Sequence, residues 1–470
     1  MSYIGRKPTV GNFQICDAIS VVNGQAAYTM QVGSVNVLPE TANHMIVSLN
    51  GTIQKPGGAN PSFTVSGSTI TFASNLATGD VIDFIQILGD VLDLGVPSDA
   101  TVTTAKLASD SVTYEKIGYN ANSYRNIIIN GDMSIAQRAT STSSITGNGY
   151  HTVDRFQTIA SGLGTWTQSQ STDVPTGQGF ATSLKMDCTT ADGSPASGDN
   201  LYIRQKIEGQ NLQYLKKGTS SAESLTLSFW VKSNKTGTAQ VNLVDEDNSR
   251  LNGRKYTISS ANTWEKKTLT FDGDTSGTFT NDNGTSLRLE FWLDAGSDYT
   301  SGTTPTTWQS NTSADQFAGC TLALADSTSN DWYITGVQLE AGTSASDFEF
   351  LPYDVNLKRC ERYCFVINNS NYASLCNAYF DTSTAVRGGI ITFPTTMRAS
   401  PTITPSGTAS NYNIARPGTS NGGGSGLPTA TQISTNSYEL LITASASSTA
   451  GYGTRILALS DAAIKIEAEL

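Results

Sequence analysis

The chain has 470 residues, of which 15% are charged and 38% are hydrophobic, so its composition excludes a disordered protein. Its 40 Asp and Glu outnumber its 29 Lys and Arg, giving a net charge of −11 without any basic cluster, which disfavours direct nucleic-acid binding. Gly (43), Ser and Thr are abundant and strong helix formers are sparse. The composition therefore predicts an all-β fold, divided at this length into about three or four domains.

Residues 1–94 are predicted to form a small β-sandwich or barrel. Short alternating stretches at 28–35, 44–53 and 81–88 are separated by turn pairs such as Gly67-Ser68 and Gly79-Asp80. The runs at 47–56 and 63–72, followed by Gly79-Asp80, resemble the virion-attachment domains at the N-termini of phage tail fibres. The resemblance implies that this segment docks on phage tail or adaptor proteins.

Residues 95–124 contain an internal repeat of ten residues. Val102-Thr-Thr-Ala-Lys106-Leu107 recurs as Val112-Thr-Tyr-Glu-Lys116-Ile117. One copy buries little apolar surface by itself, whereas three chains wrapped around a common axis would cover the aliphatic positions. The repeats resemble the trimeric shaft segments of phage fibres, which implies a homotrimer; an exposed linker with a chance repeat is the alternative.

Residues 125–354 are predicted to form one jelly-roll domain. The segment opens with Asn126-Ile-Ile-Ile-Asn-Gly-Asp-Met-Ser-Ile-Ala-Gln-Arg138 and closes with Val337-Gln-Leu-Glu-Ala-Gly342 and a Pro-Tyr pair at 352–353. Both ends resemble those of the carbohydrate-binding-like jelly rolls in phage tail proteins. Between them, alternating Leu and Phe at 225–231 and 287–293 predict core strands.

Residues 355–470 are predicted to form a C-terminal β domain. A short helix at 355–365 is followed by strands at 373–380, 387–393, 438–443, 456–459 and 464–468, with a Gly- and Asn-rich stretch at 411–428. The run Phe393-Pro-Thr-Thr-Met-Arg398 resembles a strand and turn of C-terminal fibre heads. This resemblance implies a receptor-binding head.

Two tryptophans are candidate ligand-binding residues. Trp230 and Trp292 occupy equivalent places in Phe-Trp-Val-Lys and Phe-Trp-Leu-Asp, on the face of each strand opposite the aliphatic residues. Exposed tryptophans stack well on sugar rings. Packing under a loop, or against a neighbouring protomer, is the alternative.

The loop-rich stretch of the head supplies four more candidates. Tyr412, Tyr438 and Tyr452 flank it, with Arg416 nearby, and loops on a rigid sheet often carry binding residues. Ordinary exposed turn residues are the alternative.

Catalytic and metal chemistry have little support in the sequence. The two histidines, His44 and His151, fall in different predicted domains, so no His-based triad is expected. The acidic run 245–247 is interpreted as a solvated loop, with a structural Ca²⁺ site as the alternative. No cofactor and no catalytic residue are predicted.

Six scattered cysteines predict reduced thiols rather than a disulfide framework. The N-terminus has no apolar signal region and no run of 18 apolar residues occurs, so neither a signal peptide nor membrane insertion is expected. These features agree with assembly in a host cytoplasm and a final location in a virion tail.

The resemblances together imply an elongated, homotrimeric, non-enzymatic phage tail fibre. Its C-terminal domains would bind a host receptor, either a surface polysaccharide or an outer-membrane molecule. The alternative is a tailspike-like polysaccharide depolymerase with an active site between subunits, a reaction that needs two carboxylates at short range. A bacterial cell-surface glycan-binding module is a third interpretation.

Overall fold

Antiparallel β-structure dominates both units of the chain, residues 1–120 and residues 121–470. The computed structural model describes residues 13–88, 124–368, 373–416, 421–459 and 462–470. The predicted all-β class is confirmed, as expected for a chain rich in Thr, Val and aromatic residues. The ten-residue repeats at 102–117 lie outside the described residues.

The N-terminal unit is a small sandwich. The strands are β1 (Gln14–Ile15), β2 (Gln25–Thr29), β3 (Gln31–Val32), β4 (Val35–Asn36), β5 (Met45–Leu49), β6 (Thr52–Ile53), β7 (Phe63–Ser66), β8 (Thr69–Leu76) and β9 (Ile82–Ile87). The sheets have the orders β1-β9-β5-β6 and β2-β8-β7, and β3 and β4 form a separate hairpin. Val47, Phe63 and Ile70 are buried between the sheets. Gly67 adopts a φ of +56° in the β7–β8 turn, at the predicted Gly-Ser position.

The second unit begins with a jelly-roll-like sandwich of two six-stranded antiparallel sheets. The strands are β10 (Ser141–Ile145), β11 (Gln157–Ser161), β12 (Thr165–Ser171), β13 (Ser183–Thr190), β14 (Asn200–Glu208), β15 (Leu225–Ser233), β16 (Gly237–Asp245), β17 (Arg250–Ile258), β18 (Glu265–Phe271), β19 (Thr285–Ala295), β20 (Gln309–Ser310) and β21 (Asp331–Ala341). The front sheet has the order β10-β12-β13-β21-β15-β18, and the back sheet β11-β14-β19-β16-β17-β20. A one-turn helix, α1 (Ser297–Thr300), follows β19.

The alternation of Leu and Phe predicted the core of this sandwich correctly. Leu227 and Phe229 of β15 point inward from the front sheet, and Leu289 and Phe291 of β19 point inward from the back sheet. The rings of Phe229 and Phe291 meet edge to face, with centroids 5.2 Å apart. The period of two places these side chains on one face of each strand, so the sheets interdigitate.

The opening and closing motifs of the sandwich are tied together by Asn126. Its side-chain amide donates to the Val337 carbonyl (3.0 Å) and its oxygen accepts the Leu339 N–H (3.1 Å). A Cβ at Gly131 would lie 2.0 Å from the Val337 carbonyl oxygen, so only glycine fits there. The resemblance at the two ends therefore corresponds to a direct contact between them.

The rest of the second unit is a smaller sandwich with its own core. Helix α2 (Tyr353–Glu361) precedes it; it begins two residues before the predicted helix 355–365 and ends four residues before its predicted end, because Cys364 and Phe365 already belong to a strand. The strands of the sandwich are β22 (Cys364–Asn368), β23 (Ala373–Phe380), β24 (Ala385–Thr392), β25 (Thr402–Ser406), β26 (Tyr412–Ala415), β27 (Gly422–Gly423), β28 (Thr429–Thr431), β29 (Ser437–Thr443), β30 (Gly453–Ala458) and β31 (Ala463–Glu467). A seven-stranded sheet, β27-β26-β30-β23-β24-β29-β28, packs on a three-stranded sheet, β22-β31-β25.

A buried ionic cluster joins this C-terminal sandwich to the jelly roll. Arg138, the last residue of the opening motif, contacts Glu467 (2.9 Å), Glu469 (2.8 Å) and Asp154 (3.2 Å). The fully buried Arg155 forms an ion pair with Glu469. Because each charge has an opposite partner, the cluster is compatible with burial.

All six cysteines are free thiols. None of the helices in the described residues has the length and apolar character needed to span a bilayer.

Candidate functional site

Trp292 is a core residue, so the prediction that it is an exposed binding platform is wrong. Only 1% of it is exposed, and its ring stacks on Tyr202 at 4.3 Å. The segment after β19 folds over this face and adds Tyr299 and Phe317. The indole N–H donates to Glu290 at 3.0 Å. The loop-covered alternative is therefore the correct one for this residue.

Trp230 lies in the other sheet and remains a predicted ligand contact. It is half-buried on the outer face of the front sheet, opposite Lys266 and Thr335. Tyr333 and Lys232 lie on the same face, with the ammonium 4.4 Å from the ring centroid. Trp230 and Trp292 therefore occupy equivalent places in similar sequences, but Trp230 is partly exposed and Trp292 is buried in the core.

Tyr412 and Tyr438 are also buried, so the prediction that they contact a ligand is wrong. Both are completely inaccessible because they point between the two C-terminal sheets. The Tyr412 hydroxyl lies 2.9 Å from the Ser406 carbonyl oxygen and 2.8 Å from that of Ala463. Tyr438 stacks on Phe393 at 5.7 Å. Burial raises the pKa of Tyr412 to about 12.

Tyr452 is exposed on the head and Arg416 is half-buried, and the role of both in binding stays a prediction. Tyr452 is 54% exposed. Arg416 lines a shallow depression of about 560 Å³, which also includes Asn377, Asn421 and Arg455.

The acidic run 245–247, predicted to be a solvated loop, is held in place by a specific contact of each carboxylate. Asp245 is completely buried and pairs with Lys217 at 2.8 Å. Glu246 pairs with Arg288, and Asp247 accepts the Thr280 N–H at 2.9 Å. Within the described ranges, no three His, Cys, Asp or Glu side chains are grouped so as to hold a metal ion.

A groove of about 420 Å³, which sequence inspection missed, lies where the jelly roll meets α2. We call it the Tyr214 groove. Three separate segments build it: the stretch before the first jelly-roll strand, the end of β14 with the turns after it, and the end of α2. Its lining residues are Tyr124, Asn126, Ile127, Ile129, Gln205, Lys206, Ile207, Gln210, Asn211, Tyr214, Arg359, Arg362 and Tyr363.

Two tyrosines line this groove with their rings accessible to solvent. Tyr124 is 64% exposed and Tyr214 is 50% exposed. Tyr214 lies in a 3-10 turn, Gln213–Leu215, between the buried anchors Leu212 and Leu215. Because Leu212 and Leu215 face the core, the turn between them directs Tyr214 outward.

The walls of the groove are fixed by amide hydrogen bonds. Gln205 is buried; its oxygen accepts the Ile129 N–H at 2.8 Å, and its amide donates to the Ile129 carbonyl at 2.9 Å. This reciprocal pair holds the entering chain against β14. Gln210 and Asn211 continue the polar wall with exposed side chains.

Glu208 connects the jelly roll to the end of α2 beneath the groove. It accepts two hydrogen bonds from Arg362, at 2.8 and 2.7 Å, and one from the Tyr363 hydroxyl. Burial opposes ionisation of Glu208, but these hydrogen bonds outweigh it and hold its pKa below the ordinary value. Such bidentate pairs have a fixed geometry, so the residues beneath the groove are held in position before a ligand binds.

Two cations, Lys206 and Arg359, line the groove. Lys206 donates to an oxygen of Leu470, the last residue of the sequence, at 2.9 Å, and Arg359 donates to the Asn126 carbonyl oxygen at 3.3 Å. Burial lowers the pKa of Lys206 to about 8, assisted by nearby arginines. Burial likewise lowers the pKa of Arg359.

No family model and no curated protein matches the sequence. Similar solved structures include the enzymatically active domain of tailspike protein 4 of bacteriophage CBA120, at 14% identity over 47% of this chain and a TM-score of 0.26. This match spans only 22% of the tailspike domain.

Two carbohydrate-binding structures are also similar. The tandem CBM22 domain of Paenibacillus barcinonensis Xyn10C has 12% identity, covering 71% of this chain and 79% of that one, with a TM-score of 0.23. A family 11 carbohydrate-binding module from Clostridium thermocellum, in complex with a mixed-linked tetrasaccharide, has 9% identity, covering 44% and 98%, with a TM-score of 0.20. At such low TM-scores, these similarities assign no function to the chain.

Proposed function

We propose that this chain is a non-enzymatic, glycan-binding tail-fibre protein of a bacteriophage. The Tyr214 groove is the observation that carries the glycan-binding part. Saccharides are bound by stacking their apolar faces on aromatic rings while planar amide and guanidinium groups bond their hydroxyls. The groove combines two exposed tyrosines with Gln210, Asn211 and Arg359. Its volume falls within the range of about 300–1,000 Å³ typical of ligand sites.

The assignment to a phage fibre is supported by the sequence resemblances in three separate segments. In this proposal residues 1–94 attach to the phage tail or its adaptor, residues 95–124 trimerise, and residues 125–470 contact the host. The groove draws residues from both parts of that last region, with Tyr214 from the jelly roll and Arg359 from α2. Three modest sites on one fibre would bind a repetitive polysaccharide with high avidity.

Binding and hydrolysis are separated by one experiment on the full-length protein. Polysaccharides isolated from a panel of bacterial surfaces are presented to the purified chain, and both capture and the release of reducing ends are measured. We expect saturable capture without reducing ends. Release of reducing ends would instead favour the depolymerase, and failure to capture any polysaccharide or intact cell would contradict the glycan-binding proposal.

A homotrimer is a separate prediction of the same proposal. Three copies of the 49.8 kDa chain have a mass of about 150 kDa. Light scattering coupled to size exclusion at micromolar concentration measures this mass directly. A monomer near 50 kDa would contradict the trimerising role given to residues 95–124.

A further inference from the structure

Exposed apolar side chains are concentrated in the N-terminal sandwich. Of the 17 large hydrophobic residues that are exposed among the described residues, eight lie in residues 13–88, which make up less than a fifth of that part of the chain. They are Phe13, Ile15, Val22, Val35, Leu38, Ile53, Val81 and Phe84. Single exposed hydrophobic residues are ordinary, whereas a contiguous group of them marks a surface that binds a partner.

Cross-strand pairing gathers part of this set on one face of the sheet β1-β9-β5-β6. Two rows of directly opposed residues form it, Ile15–Gln86–Ile46 and Phe84–Ser48–Ile53, and we call them the β9 face. Val47 and Ile85, which alternate with these residues along β5 and β9, are buried in the core. Successive side chains of a strand point to opposite sides, so the β9 face is directed away from the core.

The other outer face of the same sandwich is polar. It consists of the rows Ala27–Thr71–Thr64 and Thr29–Thr69–Ser66, in which five of the six residues are Thr or Ser. An antiparallel sheet with one solvated side ordinarily carries polar residues there, as β2-β8-β7 does. The Ile and Phe side chains of the β9 face are instead typical of a sheet that is covered on both sides.

We propose that the β9 face is an interface between copies of this chain, where the N-terminal sandwiches of the trimer pack on one another. This inference rests on the proposed trimer and names the surface that its N-terminal units use. Strand β9 ends at Ile87, and the repeat to which we assign trimerisation begins 15 residues later, at Val102.

The short connection favours a second copy as the occupant of the β9 face. Fifteen residues span at most about 50 Å even when fully extended. Copies joined by such a connection meet at an effective concentration of about a millimolar, so a modest apolar attraction is enough to hold them together.

The distribution of charge agrees with contact between identical chains. Neither row of the β9 face contains a charged residue, although the chain as a whole has a net charge of −11. Asp83 lies at the margin of the face, where it accepts hydrogen bonds from the Ser48 hydroxyl at 2.8 Å and the Gly51 N–H at 2.7 Å. Identical acidic chains repel each other, so a surface with apolar rows is the one on which they can approach closely.

Cross-linking of the full-length protein at single engineered cysteines tests the interface. The variant Gln86→Cys is treated with a short bismaleimide, and peptide mass spectrometry identifies the linked positions and separates them from the native thiols. A link between two copies of position 86 can join only different chains. We expect efficient linkage in Gln86→Cys and in the second variant, Phe84→Cys.

Thr71→Cys is the matched control for these two variants. Thr71 lies on the central strand of the polar sheet and is partly exposed, as Gln86 is. We expect its yield of linked chains to be at least about tenfold lower, because the polar face is directed away from the proposed interface.

A charge placed in the β9 face should separate the copies. Phe84→Asp, introduced beside Gln86→Cys, should lower the yield of linked chains about tenfold, since each association would then bury carboxylates without partners. Thr64→Asp in the same background is the control on the polar face and should leave the yield unchanged. Circular dichroism checks that both variants keep their β-structure.

The outcomes separate this inference from the proposed function. A mass of about 150 kDa without linkage at positions 84 and 86 overturns the inference and leaves the trimer standing. This result is also the one expected if another part of the chain or a tail protein covers the face. Equal linkage at position 71, or linkage that survives Phe84→Asp, overturns it as well. A mass near 50 kDa removes the trimer and the inference together.

Discussion

Replacing Arg155 with leucine is expected to lower the free energy of unfolding by about 3–5 kcal/mol, the effect of breaking a buried ion pair. Arg155 is almost completely inaccessible between the jelly roll and the C-terminal sandwich. It pairs with Glu469, donates to the Lys206 carbonyl at 2.7 Å, and its guanidinium lies 3.4 Å from the Tyr363 ring centroid. Leucine supplies none of these contacts and leaves a buried carboxylate with one partner fewer.

Denaturant unfolding followed by tryptophan fluorescence measures this change, because all six tryptophans lie between Trp166 and Trp332 in the jelly roll. Arg204→Leu is the control. Arg204 is half-buried on β14, and its side chain donates to Gln157 at 2.7 Å. Its replacement should cost less than about 1 kcal/mol. Equal losses of unfolding free energy in the two variants would show that the buried ionic cluster stabilises the protein no more than an ordinary side-chain hydrogen bond does.

The second large effect is expected at Trp292. Trp292→Ala should destabilise the protein by about 3–5 kcal/mol, the usual cost of truncating a buried aromatic residue. The cavity would open between Tyr202 and the segment that carries Tyr299 and Phe317.

Trp230→Ala is the matched control for Trp292→Ala, since both residues follow a core phenylalanine in similar sequences. Because Trp230 is only half-buried, its truncation should cost about 1 kcal/mol. Thermal unfolding monitored by far-ultraviolet circular dichroism ranks the two variants. If Trp230→Ala proved the more damaging change, the assignment of Trp292 to the core would be wrong.

Strand periodicity predicted the inward faces of the sandwiches but not what covers their outer faces. Leu289 and Phe291 are buried as the alternation requires. The Trp292 side chain points to the opposite face of β19 and is still buried, because the segment after β19 folds over it. A two-residue period distinguishes the faces of a strand, whereas a covering loop is a tertiary feature with no local pattern.

The burial of two head tyrosines had a signal in the sequence. Tyr412 shares the period of Ile414, and Tyr438 shares that of Leu440 and Ile442. This alternation outweighs the nearby Gly- and Asn-rich loop that suggested exposure. In contrast, Arg416 follows the last residue of β26 and is only half-buried.

The Tyr214 groove could not be found from the sequence because its residues come from segments far apart in the chain. Tyr124, Tyr214 and Arg359 are brought together only by the docking of α2 on the jelly roll. The one local hint is a tyrosine between Leu212 and Leu215, where an aromatic residue is flanked by two core anchors.

Binding of a captured surface polysaccharide by Tyr214→Ala tests the central proposal most directly. Loss of a stacking tyrosine at the centre of a site should weaken binding about tenfold or more. Tyr379→Ala is the matched control, because Tyr379 is 43% exposed on the seven-stranded head sheet, close in exposure to Tyr214 at 50%. We predict a large loss for Tyr214→Ala and unchanged affinity for Tyr379→Ala; unchanged affinity for Tyr214→Ala would contradict a glycan site in the groove.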